Sequence, residues 1–170
     1  MKSSKTRDLV FMALYAALFI VLDFITNTFS LFAMPQGGHL GLGTIALLLA
    51  SYHLGWKKGV IVCLAANLLL YVTGSMNFYG SLISLFFDYL IAYTVYGLSP
   101  LFPNIKYLYT GILITSLLRL ASSTFSGMAA FGSPLGASLV YNAGYIIPTM
   151  IVDLIAVPIL YTRLKPLFKK

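Results

Sequence analysis

Apolar residues fall into six long segments separated by short polar gaps. A membrane α-helix needs about 20 apolar residues, or fewer where neighbouring protein covers its ends, so each segment predicts one helix. The expected ranges are residues 8–26, 40–55, 59–73, 81–99, 107–123 and 138–162. The sequence therefore predicts an all-α integral membrane protein with six transmembrane helices, in a single membrane domain over residues 1–170.

The gaps alternate between two kinds. Two are short and rich in helix breakers, as at residues 55–59 and 99–104. The other three are longer, contain Gly, Ser, Asn and aromatic residues, and carry no Asp, Glu, Lys or Arg; they span residues 27–39, 73–80 and 124–137. Loops of this second kind, all expected at one end of the bundle, indicate where a ligand pocket would form.

Basic residues mark the ends of the chain, the gap between the second and third segments, and the gap between the fourth and fifth segments, which extends to residue 106. Ten of the eleven Lys and Arg residues lie there: Lys2, Lys5, Arg7, Lys57, Lys58, Lys106, Arg163, Lys165, Lys169 and Lys170. Because short loops rich in Lys and Arg stay in the cytoplasm, both termini are expected inside and the three uncharged gaps outside. Arg119 is the exception, since it lies within an apolar segment.

Composition excludes several classes of function. The chain is 59% hydrophobic and 9% charged, with a mean hydropathy of +0.91, which is outside the range of an ordinary soluble domain. Its net charge of +7 is dispersed over helix ends rather than one basic face, so nucleic acid is not an expected partner. His39 and His53 stand apart from any acidic or cysteine ligand, and no metal site is expected. With no phosphate loop or catalytic group, the chain is not expected to be an enzyme.

Four polar residues at membrane depth are the most informative about function, because a charge buried in lipid is costly. Asp88 and Arg119 are expected at similar depths near the outer side. They either form a structural ion pair, or Asp88 contacts a ligand while Arg119 orients it. Asp23 is expected to reach the interface or cap a loop, and Asp153 to satisfy kinked backbone or a neighbouring hydroxyl.

Aromatic residues form two groups. Interfacial belts and lipid-facing packing are expected to account for Phe11, Tyr15, Phe19, Tyr93 and Tyr96. A second group lies on or beside the outer loops, close to Asn77, Asn142 and Ser126, and comprises Tyr71, Tyr79, Tyr89, Phe131, Tyr141 and Tyr145. Stacking faces combined with a few amide, hydroxyl and carboxylate groups suit a small planar heterocycle, so an outward-facing pocket is expected.

The combination resembles the S components of energy-coupling factor (ECF) transporters, particularly the thiamine type. The likeness covers essentially the whole chain and rests on Ala13 and Ala17, on Asp88-Tyr89 through Gly97-Leu98, on Arg119 to Gly127, and on residues 138–145 followed by Pro148. It implies an S-component-like bundle in a bacterial plasma membrane that binds a vitamin and needs no cofactor of its own. The implied partners are a scaffold (T) subunit, contacted by Ala13 and Ala17, and two ATPase subunits (A and A′) that use ATP.

The resemblance also implies a set of ligand residues. Tyr89, Asn142 and Gly127 match the thiamine-type pattern, and Asp88 stands where that family has Glu. Other positions depart from it: Ser123 replaces a His, Phe131 a Trp and Ala137 a Tyr, while the first outer loop lacks a Glu. The expected ligand-binding residues are Asp88, Tyr89, Asn142, Tyr141, Ser123, Gly127, Phe131, Gln36, His39 and Tyr79.

These departures reduce the aromatic surface and the negative charge that would favour a thiazolium cation. The sequence therefore favours a single-ring vitamin or precursor, either hydroxymethylpyrimidine or a vitamin B6 form such as pyridoxine or pyridoxamine. The alternatives are a thiamine-specific S component, or a stand-alone channel or carrier for small solutes. The lack of an internal repeat and of a polar stripe through the inner half argues against the channel or carrier. Ligand is expected to enter from outside and to be covered by residues 27–39.

Overall fold

Six helical segments and one short hairpin make up the computed structural model, which describes residues 2–79, 81–106 and 108–168. The helices are α1 (Lys2–Thr28), α2 (Thr44–Leu54), α3 (Trp56–Val72), α4 (Leu82–Leu101), α5 (Thr110–Phe131) and α6 (Leu135–Phe168). Strands β1 (Asn104–Ile105) and β2 (Leu108–Tyr109) pair antiparallel between α4 and α5. The all-helical prediction is confirmed, and the hairpin is an addition to it.

Four of the helices in the described residues are long and apolar enough to cross a membrane. These spans are Lys5–Thr28, Leu82–Leu101, Thr110–Phe131 and Leu135–Pro166. Helix α2 has 11 residues, a length of about 16 Å against a hydrocarbon core of about 30 Å. The four candidate spans agree with a helical multi-pass membrane protein, whereas six complete crossings with both termini inside remain a prediction.

Helix α2 is apolar all round because the other helices surround it. It packs against α1, α3, α4 and α6, and residues 46–50 are at most 3% exposed. A helix that is hydrophobic on every face has no surface to present to water, and it belongs in the centre of a bundle. The shortness of α2 is therefore compatible with burial in protein rather than exposure to lipid.

Close crossings at glycine bring α2, α3 and α4 together. A Cβ on Gly59 would lie 2.6 Å from the Cβ of Ser51, and one on Gly97 would lie 2.6 Å from the backbone nitrogen of Val60. Neither position has room for a side chain. Small residues at helix contacts let backbones approach closely, which is how helices associate where lipid removes the hydrophobic driving force.

The predicted outer loop over residues 124–137 is wrong, because most of it is helical. Helix α5 continues to Phe131 and α6 begins at Leu135. Hydroxyl-rich sequence suggested a loop, but Ser126 Oγ donates to Asp88 Oδ2 of α4 at 2.6 Å. On either side of the predicted loop, Ser122 Oγ donates to the Phe87 carbonyl at 2.6 Å, and Ser138 Oγ donates to the Thr124 carbonyl at 2.9 Å. Such tertiary bonds offset the weak helix propensity of serine.

The first helix also begins earlier than predicted, at Lys2 rather than residue 8. The exposed side chains of Lys5 and Arg7 therefore lie on its first two turns. The side chain of Lys2, and Lys169 and Lys170 altogether, lie outside the described residues. The prediction began at residue 8 because the residues before it include Lys2, Lys5 and Arg7, which are not apolar.

Helix α4 is irregular along its length. Residues Leu85–Ile91 form a π-helix, and Val95–Leu101 form a 3₁₀-helix that contains Pro100. π-Helical turns are rare and occur frequently at functional sites. The π segment carries Asp88 and Tyr89, two of the residues that the sequence singled out.

The belt assignment for the first aromatic group is wrong for most of its members. Tyr15, Phe19, Tyr93 and Tyr96 are at most 6% exposed, and the rings of Phe19 and Tyr93 meet edge to face at 5.5 Å. These rings fill the space between α1 and α4 because their large area stabilises a packed interior. Aliphatic side chains and Phe24 occupy the exposed face of α1 instead.

Candidate ligand-binding site

A cavity of about 530 Å³ opens at the end of the bundle that carries the loops after α1 and α3 and the short turn between α5 and α6. Its size is within the range of small-molecule sites in proteins. Side chains of α1, α4, α5 and α6 form its walls, and the loop after α1 lies across it. All ten residues expected to bind ligand line this cavity: Gln36, His39, Tyr79, Asp88, Tyr89, Ser123, Gly127, Phe131, Tyr141 and Asn142.

Asp88 is held in the wall of the cavity by two hydroxyls. Ser84 Oγ donates to Asp88 Oδ2 at 2.8 Å, and Ser126 Oγ donates to the same oxygen at 2.6 Å. Ser84 lies one turn before Asp88 on α4, whereas Ser126 comes from α5. Charge-assisted hydrogen bonds of this kind fix the direction of a carboxylate, so Asp88 presents a defined acceptor to the cavity.

Arg119 does not pair with Asp88. Among the described residues, the ion pairs are Asp23 with His39 and Asp8 with Lys58. The guanidinium carbon of Arg119 instead lies 4.6 Å from the ring centre of Tyr93. The structural ion pair that the sequence left open is therefore absent from this part of the chain.

Three tyrosines form a cage around the Arg119 guanidinium. Its distance to the ring centres of Tyr96 and Tyr145 is 5.9 Å in each case, and the Tyr93 and Tyr96 hydroxyls accept long hydrogen bonds of 3.5 Å. The electron-rich faces of the rings stabilise a buried cation without a carboxylate partner. The charge on Asp88 is therefore not needed to balance Arg119 by direct contact.

Arg119 also lies deeper than predicted. It is 12 residues from the end of α5 at Phe131, or about 18 Å along the helix axis. Ser126, which bonds Asp88, is two turns further out. Arg119 therefore lies at the inner end of the cavity, and the expectation of similar depths for Asp88 and Arg119 is wrong because α5 is longer than its apolar segment.

Asp23 lines the cavity and contacts the loop after α1, as one of the two expectations had it, but it is buried rather than at the interface. Its Oδ1 lies 3.7 Å from His39 Nε2, and its Oδ2 accepts a hydrogen bond of 3.0 Å from Asn27 Nδ2. The residue is 5% exposed. The i, i+4 spacing of Asp23 and Asn27 on one helix face was the sequence signal that could have placed them together.

Asp153 behaves as predicted, outside the cavity. Thr44 Oγ1 donates to Asp153 Oδ2 at 2.7 Å, and both residues are fully buried between α2 and α6. A hydroxyl partner is what a carboxylate at that depth requires, since an unpaired polar group in an apolar interior is costly. Asp153 therefore has a structural partner and no contact with the cavity.

Tyrosine hydroxyls tie the loops to the helices around the cavity mouth. The backbone N–H of Asn77 donates to Tyr89 Oη at 2.7 Å, and the backbone N–H of Gly38 donates to Tyr141 Oη at 3.2 Å. A Cβ on Gly38 would lie 2.7 Å from the ring of Tyr145. The loop after α1 can lie this close to α6 because residue 38 is glycine.

Asn142 joins α6 to α5. Its Nδ2 donates to the carbonyls of Ser138 at 2.9 Å and Ser123 at 3.2 Å, while its Oδ1 accepts a bond of 2.8 Å from Tyr145 Oη. On the facing helix, a Cβ on Gly127 would clash with Ser138 Oγ. Asn142 and Gly127 thus set the spacing of two cavity walls, besides lining the cavity themselves.

Comparison with known proteins identifies the family. The profile of a family described as thiamine transporter protein (Thia_YuaJ) matches residues 9–169. The chain belongs to the thiamine transporter protein family. A relative named thiamine transporter ThiT, from Bacillus subtilis (strain 168), is 30% identical, and the alignment covers 99% of this chain and 97% of that protein.

Structural comparison agrees with membership of this family at the level of the fold. A structure of ThiT from Listeria monocytogenes superposes with a TM-score of 0.76 at 19% identity, covering 97% of this chain and 98% of that chain. Family membership confirms the expected class, a vitamin-transporter S component of ECF type. It does not support a single-ring vitamin as the ligand. It favours the first alternative given above, a thiamine-specific S component.

Sequence reasoning missed several cavity residues that the family's fold brings together. Tyr93 was assigned to an aromatic belt, and Ser84 and Ser138 were not singled out for the cavity, yet all three line it. Ser84 could have been found from its i, i+4 relation to Asp88. Tyr93 had no such signal, because an aromatic residue in an apolar helix looks the same whether it faces lipid or a cavity.

Proposed function

We propose that this chain is the thiamine-binding S component of an ECF-type importer. The family match over residues 9–169 is the observation that carries the proposal. The B. subtilis relative, which carries the name thiamine transporter, aligns over nearly the whole chain and so supports the same ligand. The cavity described above is where the ligand would bind.

The charges of the cavity suit a monocation such as thiamine. Asp23 and Asp88 both line it, and Arg119 is surrounded by tyrosine rings at its inner end. The first outer loop lacks the glutamate expected of the thiamine type, and Asp23 supplies a carboxylate from α1 instead. A thiazolium cation is stabilised by a nearby carboxylate and by aromatic faces, both of which are present on the side of the cavity where Asp23 lies.

The aminopyrimidine ring would use the opposite wall. Asp88 is a fixed acceptor for the exocyclic amine, and Tyr89 and Tyr145 offer flat surfaces nearby. An acceptor that two serine hydroxyls already hold in place loses little conformational freedom when the amine binds. Asp88 is one methylene shorter than Glu, so the ligand would lie closer to α4 than in a site with Glu.

Transport needs partners that this chain does not contain. We propose that Ala13 and Ala17 contact the scaffold subunit, since both are exposed on α1 and lie one turn apart. Small residues at that spacing permit close helix packing. The ATPase subunits would hydrolyse ATP, because this chain carries no phosphate-binding loop.

Calorimetric titration of the purified, detergent-solubilised protein tests the ligand. Thiamine, hydroxymethylpyrimidine, pyridoxine and pyridoxamine are compared on the same preparation. We expect thiamine to bind most tightly, because it alone combines an aminopyrimidine for Asp88 with a thiazolium cation for Asp23. Equal or tighter binding of pyridoxine, or no heat with thiamine from a monodisperse sample, would contradict the proposal.

A further inference from the structure

A second cavity, of about 300 Å³, lies at the opposite end of the bundle from the ligand site. It is formed where the start of α1, the junction of α2 and α3, and the end of α6 meet. Its lining consists of Arg7, Asp8, His53, Leu54, Lys58, Tyr161 and Lys165. The ligand cavity shares none of these residues.

The charges in this cavity are unbalanced. Three cationic side chains, Arg7, Lys58 and Lys165, face a single carboxylate, Asp8. Asp8 Oδ2 lies 2.6 Å from Lys58 Nζ, so one carboxylate is already engaged with one ammonium. The cavity as a whole is therefore positive and favours an anion.

Aromatic packing gives the cavity ordered walls. His53 Nδ1 is hydrogen-bonded to Tyr15 Oη at 3.0 Å, and the His53 ring meets that of Phe11 edge to face at 4.7 Å. Across the cavity, Lys165 Nζ lies 5.9 Å from the ring centre of Tyr161. The rings border the cavity between the helices, and the basic groups of Arg7 and Lys165 remain exposed at its mouth.

From this arrangement we infer that the second cavity binds a phosphate-bearing anion, such as the headgroup of an anionic phospholipid. The cavity lies between the ends of helices, two of which, α1 and α6, are long and apolar enough to cross a membrane. The ends of such helices are expected near lipid headgroups. Basic pockets between transmembrane helices bind anionic headgroups, and guanidinium and ammonium groups suit phosphate oxygens. This site is separate from the thiamine site and does not depend on the proposed function.

Binding can be measured with short-chain lipids. Dihexanoyl phosphatidylglycerol, dihexanoyl phosphatidylcholine and inorganic phosphate are titrated separately into the purified protein. Native mass spectrometry counts the bound molecules. Trp56 is the single tryptophan of the chain and lies two residues from Lys58, so its fluorescence reports locally on binding.

Charge variants test the location. We expect Lys165→Gln and Arg7→Gln each to weaken phosphatidylglycerol binding about fivefold, the effect of losing one basic group near an anionic lipid. Asp8→Asn removes the only carboxylate in the cavity and should tighten binding. Lys106→Gln is the matched control, because Lys106 lies in the hairpin turn outside the cavity, and it should change affinity less than twofold.

The outcomes separate the sources of the anion and can overturn the inference. Tight binding of phosphatidylglycerol with no effect of inorganic phosphate assigns the site to lipid, whereas competition by phosphate at similar affinity assigns it to a soluble anion. Equal losses in Lys165→Gln and Lys106→Gln, weaker binding in Asp8→Asn, or equal binding of phosphatidylcholine would overturn it. The opposite signs expected for Asp8→Asn and Lys165→Gln exclude misfolding as a common cause.

Discussion

Ser126 on α5 donates a hydrogen bond of 2.6 Å to Asp88 Oδ2 in the π segment of α4. This bond joins two helices at the wall of the ligand cavity. It takes the place of the ion pair with Arg119 that the sequence left open, and it leaves the Asp88 carboxylate oriented by neutral groups. Hydrogen bonds donated to a carboxylate favour its charged form, and here they also fix its direction.

Asp88→Asn should lower thiamine affinity and leave the fold intact. The substitution keeps the shape of the side chain but loses a charge-assisted hydrogen bond, worth about 1.5 to 3 kcal/mol. Calorimetric titration with thiamine measures the loss, and thermal unfolding without ligand measures stability. The matched control is Asp8→Asn, at the other end of the bundle, which should bind thiamine as the parent does. Full thiamine affinity in Asp88→Asn, together with a lowered melting temperature, would remove Asp88 from the site.

Ser126→Ala should weaken thiamine binding about fivefold through its effect on Asp88. The reason is that one of two hydroxyls holding the carboxylate is lost, at a cost of about 1 kcal/mol. Ser122→Ala is the control, since Ser122 is also on α5 but bonds the Phe87 carbonyl rather than Asp88. Calorimetry and thermal unfolding are run on both variants. If Ser122→Ala reduces affinity as much as Ser126→Ala, the effect belongs to helix packing and not to Asp88.

Asp23→Asn should discriminate between thiamine and its pyrimidine half. We expect thiamine affinity to fall about tenfold, in the range for loss of a charge partner, while hydroxymethylpyrimidine binding changes little because that molecule has no thiazolium. Both ligands are titrated into both the parent and the variant, so that the loss of affinity can be compared between the two ligands. Asn27→Ala, which removes only the amide bonded to Asp23, serves as the control and should have a smaller effect. Equal losses for the two ligands would show that Asp23 does not recognise the cation.

Ala13→Leu and Ala17→Leu should reduce thiamine uptake without reducing thiamine binding by the isolated subunit. A bulkier side chain on this face of α1 keeps a partner helix at a distance. Ala121→Leu is the matched control, because Ala121 is exposed on α5 and the same change there should leave uptake unaffected. Uptake is measured in cells, and co-purification with the scaffold is measured in detergent. Normal uptake and normal co-purification in both α1 variants would show that this face of α1 does not contact the scaffold.

Gly59→Ala and Gly136→Ala should have opposite effects on stability. A Cβ at position 59 would lie 2.6 Å from that of Ser51, so α3 must move from α2, at a cost of about 1 to 3 kcal/mol. At position 136 a Cβ would meet no described atom within 4 Å apart from its chain neighbours and its own helix backbone, and alanine should stabilise α6 by about 0.5 to 1 kcal/mol. Thermal unfolding in detergent measures both. A stabilising Gly59→Ala would show that the close α2–α3 crossing is not required.

The sequence determined the class of the protein and most of its candidate site. Six apolar segments predicted six helices within a few residues at most ends, because lipid requires long apolar helices with their backbone bonded internally. The ten predicted ligand residues share one cavity because they lie on or beside the longer gaps, and all three of these gaps are at the same end of the bundle. The alternation of basic and uncharged gaps along the sequence predicted that the longer gaps share one end of the bundle.

Only the tertiary structure decided which polar segments are helical rather than loops. Ser126 was predicted in a loop, but its bond to Asp88 on α4 holds it in α5. Similar bonds to other helices hold Ser122 and Ser138, which flank the predicted loop. Local propensity cannot anticipate such bonds, because their partners lie 12 or more residues away along the chain.

The partners of the buried charges were likewise decided by packing. Asp23 reaches His39, and Arg119 reaches Tyr93 rather than Asp88. Hydrophobic periodicity fixes which face of a helix is buried, but it carries no information on which neighbour a polar side chain meets there. Helix lengths and close crossings set those distances, and they emerge only when all six helices pack together.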